Sequence, residues 1–187
     1  MFKNILLLLS LLLLFSACSD TQDNEQIVEE ANSMVASNVF MMRDIQGKEY
    51  EITKIADEYT VKGYENRVVI YDIFATWCPP CRAIAPYLAK FAKEFKDDVL
   101  VLGITIEEGK SNGDLMEYAD AHDAHYPILN SAQNRTLANA LASSVHIGSG
   151  FPIPLIIIYK NGRYFTHYAG AVPPEMIHAD IKKALGK

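Results

Sequence analysis

The sequence predicts an α/β fold in which helices flank a central mixed sheet. Residues 67–75 and 98–106 are short apolar runs rich in β-branched residues, as expected of buried strands. Between them, apolar residues recur at three- and four-residue spacing over residues 84–95, which is typical of one face of a helix. A strand, a helix and a second strand in this order favour a parallel crossover, so both runs are predicted to lie in one sheet.

The helix between these strands is predicted to begin just after Cys78. Its apolar face comprises Ile84, Tyr87, Leu88, Phe91 and Phe95. Pro79 and Pro80 fall where a first helical turn tolerates proline, whereas Pro86 lies inside the helix and predicts a kink.

The other segments with a strand or helix pattern lie on both sides of this unit. They are a hairpin over 39–52 turning at 44–47, helices over 113–123 and 135–144, a hairpin over 154–170, and a closing helix over 173–185. The second hairpin turns at Asn161 and Gly162, which is a strong turn dipeptide. The predicted fold is therefore a central mixed sheet with an N-terminal β-hairpin and a helical insertion.

The first 17 residues have the layout of an export signal. A cation at Lys3 is followed by an apolar run over 5–15 and by two small residues at 16–17. The run is short for a membrane span, although an uncleaved signal anchor is the alternative. Residues 1–17 are therefore predicted to be a signal peptide.

Cys18 follows this signal in the stretch FSAC, which resembles the lipobox of bacterial lipoproteins, with Phe15 in place of the commoner leucine. That resemblance implies cleavage before Cys18 and lipidation of its thiol, so that lipid holds the protein on a membrane. Residues 19–33 are polar and acidic, and the segment over 18–37 is predicted to form a flexible tether. Residues 38–187 then form the folded domain.

The composition excludes one class of partner. The formal net charge is −6, with 50 % hydrophobic and 21 % charged residues, which is ordinary for a globular protein. A nucleic-acid surface needs clustered lysine and arginine, and the sequence contains no such block. We therefore predict no nucleic-acid partner.

Residues 72–81, DIFATWCPPC, place two cysteines at the predicted strand-to-helix junction. A Cys-x-x-Cys motif at such a junction indicates a redox couple. The thiolate is the attacking species, and the N–H groups and partial positive charge of a helix N-terminus stabilise it. Cys78 is therefore the predicted nucleophile, and Cys81, one turn further in, is predicted to resolve the mixed disulfide.

Two other interpretations of the cysteine pair compete with the redox couple. Disulfides persist outside the cytosol, so the pair could be a structural staple. A zinc site needs four ligands, and no second Cys-x-x-Cys follows. His122 and His125 are the one candidate pair, and we interpret them as solvated surface. No metal and no cofactor are predicted.

Two stretches carry a resemblance to a known family. VVIYDIFATWCPPC, which ends at Cys81, and IPLIIIYKNGRYFTHYAGA, over 153–171, resemble the two halves of the active site in the thioredoxin superfamily. The long interval between them, the leading hairpin and the export signal resemble the TlpA/ResA-like branch of exported thiol–disulfide oxidoreductases. The resemblance covers residues 38–187 and implies a thioredoxin-like fold.

The same resemblance implies roles for residues around the cysteines. Pro154 would be a cis-proline facing them, with Pro152 as a rival for that position. Ile153 would offer its backbone to an extended substrate. Trp77 would pack beside the nucleophile and, with Pro79 and Pro80, contact the substrate.

Asp72 matches the buried acid that assists proton transfer from the resolving cysteine in this superfamily. A carboxyl group in an apolar strand is expected to have a raised pKa, which suits a proton acceptor near neutral pH. An aspartate at a solvated strand edge is the alternative.

Two positions depart from the family pattern. The strand over 98–106 lacks the lysine that pairs with the buried acid in thioredoxin, so Asp72 is expected to titrate differently. The cytochrome-maturation reductases carry a glutamate three residues after the second cysteine, where this chain has Ile84.

Pro79 and Pro80 favour one direction of electron transfer. Proline has no N–H, so both remove donors that could stabilise the Cys78 thiolate, and the chain should be a poorer oxidant. The sequence therefore favours a reductase of exported protein disulfides, with a membrane thiol donor and a link to cytochrome c maturation as the family implies. We place it on the periplasmic face of the bacterial cell envelope. A DsbA-type oxidase or isomerase, and a Cu(I)-handling protein using His146, are the alternatives.

Overall fold

The computed structural model describes residues 39–148 and 150–187. The predicted signal peptide over 1–17, the tether over 18–37 and the lipidated Cys18 lie outside the described residues.

A five-stranded mixed sheet forms the centre of the domain, with strand order β6-β5-β4-β7-β8. Its strands are β4 (Val68–Phe74), β5 (Val99–Thr105), β6 (Ile128–Leu129), β7 (Leu155–Lys160) and β8 (Arg163–Ala169). The pairs β4–β5 and β5–β6 are parallel, whereas β4–β7 and β7–β8 are antiparallel. Every residue of β4 and β5 is buried. The central mixed sheet and the parallel crossover predicted from the two apolar runs are confirmed.

Four helices accompany the sheet in the described residues: α1 (Pro79–Glu94), α2 (Asn112–Ala121), α3 (Asn134–Ser144) and α4 (Pro174–Ala184). The helical insertion between β5 and β7 contains α2 and α3, as predicted, and also the two-residue strand β6. A strand of that length leaves no periodic signal in a sequence. None of the helices in the described ranges is long and apolar enough to cross a membrane.

The apolar face of α1 differs from the prediction at one residue. Its buried residues are Cys81, Ile84, Ala85, Leu88 and Phe91. Tyr87 lies at the edge of this stripe and is 44 % exposed, so its assignment to the core was wrong. Pro86 lies inside the helix, as predicted, and the helix continues past it to Glu94.

The N-terminal hairpin is present, and a third strand extends it. Strands β1 (Val39–Arg43), β2 (Glu49–Ile55) and β3 (Glu58–Val61) pair antiparallel in that order. Asp44 Oδ1 accepts hydrogen bonds from the backbone N–H groups of Gln46 and Lys48, which closes the predicted turn. The hairpin also covers the edge of the central sheet, because the Ile45 N–H donates to the Ile128 carbonyl at 2.9 Å.

The side chains on the two faces of β4 pack in different apolar clusters. Val68, Ile70 and Phe74 belong to a cluster that contains both cysteines of the motif, together with residues of α1 and α4. Val69, Tyr71 and Ile73 belong to a second cluster with α3 and the three-stranded sheet. Successive strand residues point to opposite faces, so Asp72 faces the cluster of the cysteines.

Candidate active site

The cysteine pair lies at the junction of β4 and α1. After β4 ends at Phe74, a tight turn brings the Cys78 N–H to 3.1 Å from the Ala75 carbonyl. Cys78 is the N-cap of α1 and is disulfide-bonded to Cys81, with 5.3 Å between the two Cα atoms. Both cysteines are buried, at 3 % and 1 % exposure.

The first turn of α1 offers the Cys78 sulfur few N–H groups. Pro79 and Pro80 occupy the first two helical positions and carry no N–H. The N–H of Cys81, the third position, points at Cys78 Sγ at 3.3 Å. The N–H of Arg82 donates to the Cys78 carbonyl instead, at 3.1 Å.

Trp77, just before Cys78, is 61 % exposed. The preceding residue, Thr76, is held from two sides. Glu107 accepts from the Thr76 N–H at 2.5 Å and from its hydroxyl at 3.1 Å, while Arg82 Nε donates to the Thr76 carbonyl at 2.6 Å. These contacts anchor the turn that presents Trp77 and the cysteines.

Sequence reasoning missed Glu107 and Arg82. One signal could have indicated Glu107, since it lies two residues after the end of β5, and β4 and β5 are parallel. The carboxyl ends of parallel strands meet at the same edge of a sheet, so polar residues after each strand come together there.

The segment before β7 completes the surroundings of Cys78. The Ile153–Pro154 peptide bond is cis, whereas Pro152, the rival position, is an exposed proline. The Ile153 carbonyl oxygen lies 3.7 Å from Cys78 Sγ. Pro154 is buried, and its carbonyl accepts from the Gly170 N–H at 2.8 Å. Residues about 75 positions apart along the chain are thus in contact.

Asp72 lies in the middle of β4 with 1 % exposure, and not at a solvated strand edge. Its Oδ2 accepts a hydrogen bond from the Tyr126 hydroxyl at 2.8 Å. Burial raises the pKa of Asp72 to about 7, and the Tyr126 hydrogen bond offsets part of that rise. A carboxyl group with this pKa can both accept and release a proton near neutral pH. Sequence reasoning did not identify Tyr126.

The other predicted positions lie in different surroundings. Ile84 is buried in the apolar cluster that contains the cysteines. His122 ends α2, and His125 is exposed and lies 3.8 Å from Asp123. Within residues 39–148 and 150–187, no three His, Cys, Asp or Glu side chains are grouped so as to hold a metal ion.

His146, the candidate copper ligand, is exposed in the turn after α3. Its neighbours Val145 and Ile147 pack with the second apolar cluster, whereas both cysteines belong to the first. The fold therefore places this histidine in a segment that packs on the other face of the sheet.

Known proteins resemble the chain over most of its length. The Redoxin family matches residues 37–185. The thiol-disulfide oxidoreductase ResA of Geobacillus thermodenitrificans is 28 % identical over 179 residues, which cover 94 % of this chain and 90 % of that protein.

The thioredoxin-like protein YneN of Bacillus subtilis is 30 % identical over 78 residues, covering 41 % of this chain and 46 % of YneN. Thioredoxin-T of Drosophila melanogaster is 41 % identical over 46 residues, covering 25 % of this chain and 29 % of that protein. The matches thus span less than half the length of YneN and Thioredoxin-T.

Solved structures show the same fold. StoA from Bacillus subtilis has a TM-score of 0.54 at 17 % identity, covering 78 % of this chain and 98 % of that chain. A thiol:disulfide interchange protein of the thioredoxin family from Chlorobium tepidum has a TM-score of 0.57 at 18 % identity, covering 80 % of this chain and 94 % of that chain. These neighbours share the fold that presents Cys78 and Cys81 at the start of α1. Since the family match spans most of the sequence, the chain belongs to the Redoxin family and is a thiol–disulfide oxidoreductase.

Proposed function

We propose that the chain is a membrane-tethered, extracytoplasmic reductase of protein disulfides that works through Cys78 and Cys81. The observation that carries the direction is the first turn of α1, where Pro79 and Pro80 supply no N–H to the sulfur of Cys78. A thiolate with fewer donors is less stable, so the reduced form gives up its electrons more readily.

The proposed reaction runs in two steps. The Cys78 thiolate attacks one sulfur of the substrate disulfide, the substrate S–S bond breaks, and the departing sulfur takes a proton from water. Cys81 then passes its proton to Asp72 and attacks Cys78 Sγ, which expels the second substrate sulfur as a thiolate. That sulfur takes a proton from water, and Asp72 releases its proton to water before the next cycle. The substrate gains two electrons and two protons, and the Cys78–Cys81 disulfide forms. A membrane protein with a dithiol returns the two electrons.

An extended segment of an exported protein is the proposed substrate. The Ile153 carbonyl lies 3.7 Å from Cys78 Sγ, so a strand paired with the backbone at Ile153 would hold its disulfide next to the nucleophile. Trp77 precedes Cys78 in the chain, is exposed and offers an apolar contact. Pro79 and Pro80 complete this surface at the start of α1.

The proposed location is the periplasmic face of the cell envelope, with a lipid on Cys18 as the anchor. The export signal over 1–17 and the stretch FSAC support it. One structural neighbour is a secreted disulfide oxidoreductase of Mycobacterium tuberculosis, with a TM-score of 0.56 at 15 % identity.

A role in cytochrome c maturation would be a narrower form of this proposal. Ile84 stands where reductases of that pathway carry a glutamate, and it is buried in the apolar cluster of the cysteines. We therefore propose exported proteins with disulfides in general as substrates.

The reduction potential of the soluble domain in glutathione buffers tests the direction of transfer. We expect a value closer to the roughly −270 mV of thioredoxin than to the roughly −120 mV of DsbA. Replacing Pro80 by alanine adds one N–H near Cys78 and should raise the potential by about 30 mV, the equivalent of about 1.4 kcal/mol.

Pro86→Ala is the matched control, because it makes the same change in the same helix away from the first turn. Its potential should equal that of the unmodified domain. A potential near that of DsbA for the unmodified domain would contradict the reductase proposal and favour an oxidase.

A further inference from the structure

We propose that Tyr126 is a positioning residue for Asp72: its phenol holds one carboxylate oxygen, favours the charged form and leaves the other oxygen free to take the proton of Cys81. This inference rests on the proposed role of Asp72 in resolving the mixed disulfide. It adds a residue from outside the cysteine motif and the Pro154 segment to the working site.

The contact between the two side chains is direct and enclosed. The Tyr126 hydroxyl donates to Asp72 Oδ2 at 2.8 Å, and the two residues are 5 % and 1 % exposed. Asp72 Oδ1 is buried and accepts no hydrogen bond from any residue in the described ranges. One oxygen is therefore committed to the phenol, while the other keeps its full capacity to bind a proton.

Gly103 makes room for this contact. It lies directly opposite Asp72 in the parallel pairing of β4 and β5, so a side chain there would point to the same face of the sheet. A Cβ atom at Gly103 would lie 3.0 Å from Tyr126 Cε2 and 3.3 Å from Phe74 Cε1. A side chain at position 103 would therefore crowd the tyrosine ring, which would have to shift to admit even a methyl group.

In the described part of the chain, the side chains near Asp72 other than Tyr126 carry no charge that would compete with the Tyr126 hydrogen bond in setting its pKa. Its strand neighbours in β5 and β7 are Gly103 and Ile156, and α4 contributes Ile177 and Ile181 to the same cluster. The titratable groups buried in this cluster are Tyr118 of α2, Tyr126, Cys81 of α1 and the N-cap residue Cys78, and the half-buried Tyr168 of β8 packs against it. The Tyr118 hydroxyl is buried without a hydrogen-bond partner among the described residues.

Tyr126 itself stays a donor. Burial and the neighbouring Asp72 hold the pKa of its phenol well above the usual value, so it keeps its proton over the physiological range. A phenol that donates to a carboxylate stabilises the charged form and lowers the pKa of the acid. Removing the hydroxyl should therefore raise the pKa of Asp72 above about 7.

The variant Tyr126→Phe tests the proposal, because it keeps the ring and removes only the hydroxyl. A hydrogen bond to a charged group corresponds to a pKa shift of about one to two units, so we expect a rise of that size in the pKa of Asp72. Carboxyl ¹³C NMR titration of the oxidised protein reads this pKa without any turnover. The second measurement is the pH profile of the rate at which Cys81 resolves a preformed Cys78 mixed disulfide. The acid limb of this profile, where the rate falls as Asp72 becomes protonated, should move to higher pH by the same amount.

Tyr118→Phe is the matched control, since it removes a second buried phenol of the same cluster that has no partner within the described residues. It should leave the pKa of Asp72 and the acid limb unchanged. Gly103→Ala should displace the Tyr126 ring and shift both readouts in the direction of Tyr126→Phe. Thermal unfolding of each variant checks that it is folded.

Three results separate the claims. An unchanged pKa of Asp72 in Tyr126→Phe would overturn the positioning role of Tyr126. A shifted pKa with an unshifted acid limb would overturn the proton-accepting role of Asp72 on which the inference rests. The reduction potential of the unmodified protein reports the direction of transfer separately, so an oxidising value would reject the reductase proposal without affecting either readout.

Discussion

At the scale of single residues, the site combines a cysteine sulfur that few amide N–H groups approach with a buried carboxyl group that has a single hydrogen-bond donor. Cys78 Sγ faces the Cys81 N–H at 3.3 Å, after two prolines. Asp72 has one hydrogen-bonded oxygen in a buried, apolar setting. Both arrangements disfavour negative charge, on the sulfur in one case and on the carboxyl group in the other.

Replacing Asp72 by asparagine should make the stability of the protein less dependent on pH. The folded chain binds the Asp72 proton more tightly, with a pKa of about 7 against an ordinary 3.8. This contribution to stability amounts to about 4 kcal/mol at most. It is fully present below about pH 4 and is lost as the pH rises through about 7. Urea unfolding of the oxidised protein should therefore show Asp72→Asn to be stabilised relative to the unmodified chain at pH 8, and much less so at pH 4.

Asp97→Asn makes the same chemical change at an exposed position and serves as the control. If Asp72→Asn gave the same difference in unfolding free energy at both pH values, the carboxyl group would not be titrating across this range in the folded chain.

At the scale of elements, the parallel ends of β4 and β5 form the support of the motif. Thr76 follows β4 and Glu107 follows β5, and the two are joined by two hydrogen bonds. Arg82, one turn into α1, donates to the Thr76 carbonyl. The turn before the cysteines is thus tied to both a strand end and the helix, which keeps Trp77 and Cys78 in a defined orientation.

Glu107→Ala should loosen this turn. Removing both acceptors leaves the Thr76 N–H without its carboxylate partner, and hydrogen bonds to charged groups contribute about 1.5–3 kcal/mol. We expect a loss of about 2 kcal/mol in unfolding free energy and faster hydrogen exchange at the Thr76 amide.

Glu108→Ala is the neighbouring control, because the Glu108 side chain is 83 % exposed and lies 3.5 Å from Arg135. It should change the unfolding free energy by less than about 0.5 kcal/mol. Equal protection of the Thr76 amide in both variants would show that Glu107 does not hold the turn.

At the scale of the whole molecule, the three-stranded sheet attaches to the central sheet at two places. The Ile45 N–H donates to the carbonyl of Ile128 in β6, at 2.9 Å. The Tyr59 N–H donates at 2.8 Å to the carbonyl of Gly162, in the turn between β7 and β8. Tyr59 also packs edge-on against Tyr71 and Tyr159 of the central sheet, with ring centroids 6.3 and 5.3 Å away.

Gly162→Ala should disturb the second attachment. Gly162 has a φ of +78°, which favours glycine, and a Cβ there would lie 2.7 Å from Thr60 Cγ2 in β3. We expect a loss of about 1–3 kcal/mol in the unfolding free energy, measured by urea titration.

Gly47→Ala separates the backbone effect from the contact between sheets. Gly47 has a φ of +90°, and a Cβ there would meet no described atom within 4 Å, so only the backbone strain remains. A loss in Gly47→Ala as large as that in Gly162→Ala would mean that the contact with Thr60 contributes nothing.

Local patterns determined the framework of this protein. The apolar runs of β4 and β5, the spacing in α1, the Asn-Gly turn and the cysteine motif are each contained within a few neighbouring residues, and all of them occur in the structure as predicted. Shorter or less periodic elements were missed, namely β3 and the two-residue β6. Tyr87 was misassigned because it lies at the edge of the α1 stripe.

Tertiary structure decided which side chains surround the cysteines. Tyr126 reaches Asp72 across 54 residues of sequence, and Glu107 reaches Thr76 across 31. These contacts depend on the parallel register of β4 and β5 and on the path of the segment before β6, which no local periodicity encodes. The residues proposed to carry the redox chemistry could therefore be predicted from a short motif. The residues proposed to tune that chemistry could be identified only from the tertiary structure, because they come from distant segments of the chain.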